Sequence, residues 1–100
     1  MPKVSYTVSF GDEAGKPNEW TVSRGQAPSG EMQIVIVSDD LAHTETLDPG
    51  NYEIQISIRG TDDASATLTI SRPKFKDKIV NVSIASGLGQ GIATSVFRVV

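Results

Sequence analysis

Val4, Tyr6, Val8 and Phe10 are separated by Ser5, Thr7 and Ser9, and the same alternation of apolar and polar side chains returns six more times before Val100. A period of two places alternate side chains on opposite faces of an extended chain, so each such run reads as a strand with one face buried. Trp20 and Val22 alternate with Thr21 and Ser23. Met32, Ile34 and Ile36 are interleaved with Gln33, Val35 and Val37. Tyr52, Ile54, Ile56 and Ile58 alternate with Glu53, Gln55 and Ser57. Ala66, Leu68 and Ile70 follow among Thr67 and Thr69, then Val80, Val82 and Ile84 around Asn81 and Ser83, and finally Ala93, Ser95, Phe97 and Val99. Ten Val, nine Ile and eight Thr against four Leu and seven Ala reinforce this reading, because β-branched side chains suit a pleated sheet and lose rotamer freedom in a helix. No window carries a helical stripe.

A chain of 100 residues that is 38% apolar has material for one core, so residues 1–100 form a single domain. The longest uninterrupted apolar run, Ile34 to Val37, is far short of the roughly twenty residues needed to span a bilayer as a helix, so no membrane span is expected. The absence of cysteine excludes a disulfide framework, a thiol nucleophile and a zinc ribbon. A net charge of −3 opposes binding to duplex nucleic acid, which depends on a basic field. Met1-Pro2-Lys3-Val4 leads straight into the first strand without a signal peptide. The expectation is cytoplasmic synthesis or assembly into a virion, with a domain excised from a secreted protein as the alternative.

Turn residues fall between the strands: Gly11 to Asn18, Arg24 to Gly30, and the run Gly87-Leu88-Gly89-Gln90-Gly91. About seven short strands with polar outer faces predict an all-β fold, a single antiparallel β-sandwich. Met32 to Val37 is apolar on both faces, which places it centrally or against a partner. In Leu47-Asp48-Pro49-Gly50-Asn51-Tyr52, Pro49 and Gly50 suit the two central positions of a type II turn. Tyr52 then enters the next strand with its hydroxyl able to bond back to the turn. This L-x-P-G-x-Y run resembles the strand entry of immunoglobulin-like, fibronectin-like and transthyretin-like or collagen-adhesin B-type bacterial sandwich domains. The resemblance implies an immunoglobulin-like sandwich with a tyrosine corner. It does not extend to a Lys–Asn isopeptide crosslink through Lys3 and Asn81, because the residues after Tyr52 depart from the acid-bearing continuation of the adhesin B-type pattern and the last strand holds no Asn.

Catalytic chemistry finds little purchase. His43, the sole histidine, lies in the polar stretch Ser38 to Thr46, where a solvated loop residue is the plainer reading, and no G-x-S-x-G context accompanies it. The clustered glycines near Gly89 precede a β-branched strand rather than a phosphate-binding helix. Asp12-Glu13, Asp39-Asp40 and Asp62-Asp63 end predicted strands, and Asp39, Asp40, Asp62 and Asp63 are candidate calcium ligands; acidic turn residues are also common without a metal. If Arg72 to Lys78 is extended, Arg72, Lys74, Lys76 and Lys78 form a basic stripe opposite Pro73, Phe75 and Asp77, suited to an acidic partner or simply to blocking edge pairing. Trp20, the sole tryptophan, fits the core better than a sugar-stacking platform. Ile92 to Val100 carries one charge, Arg98, so it must pair with the sheet or with another chain.

The function these residues predict is a non-enzymatic structural or protein-interaction module, a subunit of a larger assembly such as a virion or phage tail. Val35, Val37, Arg72, Lys74, Phe75, Lys76 and Lys78 are its candidate contacts, with a protein partner or a second copy as the occupant. The alternative is a carbohydrate- or calcium-binding module of a secreted bacterial protein. No other cofactor is expected.

Overall fold

The computed structural model describes residues 2–11 and 15–100. Asp12 and Glu13 lie outside the described residues. Among the described residues eight strands run in chain order as β1 (Lys3–Ser9), β2 (Glu19–Gln26), β3 (Gln33–Ile36), β4 (Ala42–Thr46), β5 (Gly50–Arg59), β6 (Ser65–Ser71), β7 (Lys78–Ser83) and β8 (Gln90–Val99). They form two four-stranded sheets, ordered β4-β1-β6-β7 and β3-β2-β5-β8, in which every neighbour is antiparallel. The alternating apolar residues point between them. Val4, Tyr6, Val8, Leu68, Ile70, Val80 and Val82 come from one sheet and Val22, Ile54, Ile56, Ile58, Phe97 and Val99 from the other, all buried. Removing each such Val or Ile from water contributes about 1.5–3 kcal/mol before the entropy of ordering the chain is subtracted.

The register shows how these layers stack. Val22 lies opposite Ile56 and Ile56 opposite Ala93, while Tyr6 lies opposite Ile70 and Val8 opposite Leu68. Phe97 bridges the layers, 5.6 Å from the Tyr52 ring and 6.3 Å from that of Tyr6. Trp20 is core, as its spacing predicts: its indole N–H donates to the Asp40 carbonyl at 2.8 Å, and Phe10 meets its ring edge-on at 4.9 Å.

Four local expectations are revised. First, Met32 to Val37 is neither central nor in phase. β3 is an edge strand, and its pairing steps from Val22↔Ile36 to Ser23↔Ile34, so Val35 is an extra, bulged residue. The bulge turns Ile36 into the core and leaves Ile34 64% exposed, although the two are an even number of residues apart. Second, the polar stretch Ser38 to Thr46 contains an eighth strand, β4, paired with β1 along Ala42–Thr46. Third, Gly50 has φ 158°, close to extended and far from the roughly +80° of a type II turn. The corner instead carries the chain from β4 in one sheet to β5 in the other, and the tyrosine corner itself is present, with the Tyr52 hydroxyl donating to the Asp48 carbonyl at 2.6 Å. Fourth, Arg72 to Asp77 form the β6–β7 turn, with Lys74 at φ 71°, and Lys78 opens β7, so the four cations do not form an extended stripe.

The passage from β7 to β8 is tight. A Cβ on Gly91 would stand 2.2 Å from the Ser83 carbonyl oxygen, whereas one on Gly11 would meet nothing within 4 Å. Gly91→Ala is therefore expected to cost roughly 1–3 kcal/mol, and Gly11→Ala less than about 0.5 kcal/mol; denaturant unfolding of the two variants beside wild type checks this.

Candidate functional site

One polar cluster sits between the sheets. Arg24 pairs with the inward-facing Ile54, so its side chain points into the sandwich, where it meets Glu45 of β4. Arg24 Nε donates to Glu45 Oε2 at 2.9 Å and Nη2 to Oε1 at 2.5 Å, a bidentate pair with both side chains mostly buried. The Tyr6 hydroxyl of β1 donates to Glu45 Oε2 at 2.5 Å, and His43 lies parallel to the Tyr6 ring with centroids 6.3 Å apart. Both oxygens of the carboxylate are thus engaged, and Tyr6 is fully buried. The cluster is a clasp across the two sheets.

The charges in the clasp are locked in their native states. Burial alone would raise the Glu45 carboxyl, but hydrogen bonds from Arg24 and Tyr6 outweigh it and hold the group below its ordinary 4.5. Burial pushes the Tyr6 hydroxyl well above its ordinary 10, helped by the hydrogen bond to Glu45 and its charge. The Glu45 hydrogen bond likewise raises the Arg24 guanidinium. As pH falls below about 4.5, the unfolded chain takes up the Glu45 proton first, and the stability contributed by the clasp is lost as pH drops through the folded value. As pH rises above about 10, the unfolded tyrosine ionises while folded Tyr6 stays protonated, and stability falls again.

The other candidates are scattered. Asp39, at φ 79°, and Asp40 lie between β3 and β4, and Asp62 and Asp63 between β5 and β6. Asp62 caps a neighbouring loop, accepting from Ser86 Oγ at 3.2 Å and from the Gly87 N–H at 3.0 Å. Among the described residues no group of three or more His, Cys, Asp or Glu side chains could hold a metal ion, so these four aspartates are not gathered into one site. Gly87 and Gly89, both at positive φ, form the loop into β8, and no helix follows. In the β6–β7 turn the Arg72 guanidinium stacks 4.7 Å from the Phe75 ring centre and 5.8 Å from that of Phe97, and its Nε donates to the Arg98 carbonyl at 2.7 Å. Lys74 and Lys76 are exposed and Lys78 is half-buried. Val35 packs against the core, whereas Val37 is exposed.

The two outer faces differ in chemistry. The β4-β1-β6-β7 sheet presents Ser5, Thr7, Ser9, Thr44, Thr67, Thr69 and Asn81 together with one half-exposed aliphatic residue, Ile79, with Ser5 hydrogen-bonded to Thr44 at 3.1 Å and Thr67 donating to Asn81 at 2.9 Å. The β3-β2-β5-β8 sheet presents Ile34, Ile92 and Val96, each more than half exposed, among Ser23, Gln55, Ser57 and Thr94. Met32 lies against Gly25 beside them, and with Glu53, Gln55, Thr94 and Val96 it borders a shallow hollow of about 380 Å³. The expectation that Ile92 to Val100 pairs with the sheet or with another chain is met within the sheet, by β5.

The described residues include no helix long and apolar enough to cross a membrane. No protein-family model matches this chain, and neither a curated protein nor a solved structure is detectably similar to it.

Glu45→Gln, which leaves the Arg24 charge half-buried without its partner, is expected to lower stability by about 2 kcal/mol and to remove this residue's share of the loss below pH 4.5. Thermal unfolding of wild type and variant between pH 3 and pH 11 checks both, since wild type should keep a plateau that falls away at each end.

Proposed function

We propose that this chain is a non-enzymatic, immunoglobulin-like β-sandwich module that works by presenting a surface to other protein, as one subunit of a larger assembly such as a virion or phage tail. The observation that carries the reading is the outer face of the β3-β2-β5-β8 sheet. Ile34, Ile92 and Val96 stand exposed there although every inward position of β5 is already filled by buried Tyr52, Ile54, Ile56 and Ile58. Three large aliphatic side chains that the core does not use stand on this face, against Ile79 alone among the described strand residues of the other sheet, and such exposed apolar residues favour protein contact. Supporting it, Arg24, Glu45 and Tyr6 are tied to one another by hydrogen bonds that join the two sheets.

The features that a carbohydrate site would draw on are engaged elsewhere. Trp20 is buried, and Phe75, the exposed aromatic of the β6–β7 turn, is stacked with Arg72. Protein contact is therefore the reading carried forward.

A photo-crosslinking amino acid at Ile34 or Val96, introduced in the native host, is expected to give protein adducts of defined mass. The same group at Thr7, exposed on the other sheet, is expected to give none. Adducts from neither face, or equally from both, overturn the reading.

A further inference from the structure

A sandwich of two separate sheets has four edge strands, and here three of them carry the features that discourage pairing with another chain. β3 is four residues long and bulged. β4 is five residues long and presents His43 and Glu45 inward, where the clasp holds them. β7 is six residues long and opens with Lys78. Shortness, bulges, prolines and lysines are the usual protections of an exposed edge.

β8 has none of these. It runs ten residues from Gln90 to Val99, keeps unbroken register with β5, contains no proline and carries a single charge, Arg98. The direction of its free hydrogen-bonding groups follows from its neighbours. Asn51 directs its carbonyl toward β2, accepting from the Ala27 N–H, so the even-numbered residues of β5 face β8. Their partners on β8 are odd-numbered, and the even-numbered Ile92, Thr94, Val96 and Arg98 therefore turn their N–H and C=O groups to the open edge. The Arg72 guanidinium bonds the Arg98 carbonyl from that side, in agreement with this assignment. β7 of the other sheet passes close to β8 without joining its ladder, so among the described residues no strand is hydrogen-bonded to Ile92, Thr94 and Val96 on that side.

Building on the protein-contact reading, we propose that β8 pairs antiparallel with β8 of a second copy, about a two-fold axis at Thr94, to join the two β3-β2-β5-β8 sheets into one. The sequence is self-complementary in this register. Thr94 faces Thr94 of the other copy, Ile92 faces Val96 on both sides of the axis, and Arg98 faces neutral Gln90, so no like charges meet. Each of Ile92, Thr94 and Val96 then gains the backbone partner it lacks, and the exposed Ile92 and Val96 side chains become neighbours across the seam. A register centred on Val96 would set Arg98 against Thr94 and pair fewer residues, since β8 ends at Val99.

The chain has no cysteine, so a single introduced one reports contact cleanly. Residues directly opposite in a hydrogen-bonded antiparallel pair have Cα atoms about 5.5 Å apart, within disulfide range. In mild oxidant, Thr94→Cys is expected to form a dimer that reductant reverses, while Thr21→Cys, on the same outer face but away from the edge, is expected to stay monomeric. Sedimentation velocity of wild type should show a dimer boundary that is lost in Thr94→Lys, whose melting temperature under monomeric conditions matches wild type. A wild type that stays monomeric at every concentration, or crosslinking from Thr21→Cys as fast as from Thr94→Cys, overturns the pairing. Adducts to a different protein from Ile34 or Val96 alongside a monomeric wild type also overturn it, while leaving the protein-contact reading intact.

Discussion

Glu45 holds together parts of the chain that hydrophobic burial alone does not join. Its strand, β4, offers only His43 and Glu45 to the interior, neither of which is an aliphatic side chain. What fixes the strand is its ladder with β1, the stacking of His43 on Tyr6 and the hydrogen bonds that Glu45 accepts from Tyr6 and Arg24. Because Tyr6 belongs to β1 and Arg24 to β2, the same carboxylate ties one sheet to the other at the point where the chain leaves β4 for β5. Charge-assisted, bidentate hydrogen bonds are strong enough to repay partial burial of both ions, whereas a half-made cluster would be worse than an apolar contact. The Tyr52 bond to Asp48 fixes the exit from that corner, and Phe97 packs on both tyrosine rings.

This chemistry also sets what the sequence makes legible. Seven strands are visible because their inward positions are aliphatic or aromatic, so that period two shows as an alternation of hydropathy. β4 obeys the same period, but its inward residues form hydrogen bonds instead of an oily face, and a reading based on hydropathy passes over it. Glu45 and Arg24 are 21 residues apart and Tyr6 is 39 from Glu45, so no local pattern could have linked them. The bulge at Val35 is a second kind of blindness. One inserted residue reverses the phase, and Ile34 and Ile36, equivalent in the alternation, end on opposite sides of the sheet. Arg72 to Lys78 fails for a third reason, since Lys74 adopts positive φ without being glycine, and nothing in its neighbours announces that.

The two sheets use the same inward alphabet and different outward ones. Hydroxyl groups on the β4-β1-β6-β7 face hydrogen-bond to one another or to water, at little cost in either state. Ile34, Ile92 and Val96 on the opposite face have no such compensation, and each adds apolar area that folding leaves in contact with solvent. β-branched residues do favour strands through local packing, which accounts for single exposed positions. It does not account for three of them on this sheet against Ile79 alone among the described strand residues of the other, where Thr serves the same backbone preference.

Edge geometry supplies the missing asymmetry. An outer face and an unprotected edge are separate properties, and on this molecule both belong to β8. The β6–β7 turn sends Arg72 to the Arg98 carbonyl, closing one end of the edge and leaving Ile92 to Val96 open. If β8 were meant only to terminate the sheet, the economical solution is the one already present in β3, a short strand with a bulge. A ten-residue strand in unbroken register, with aliphatic residues flanking a central threonine, instead turns the N–H and C=O groups of every second residue to the edge, which is the arrangement a further strand requires.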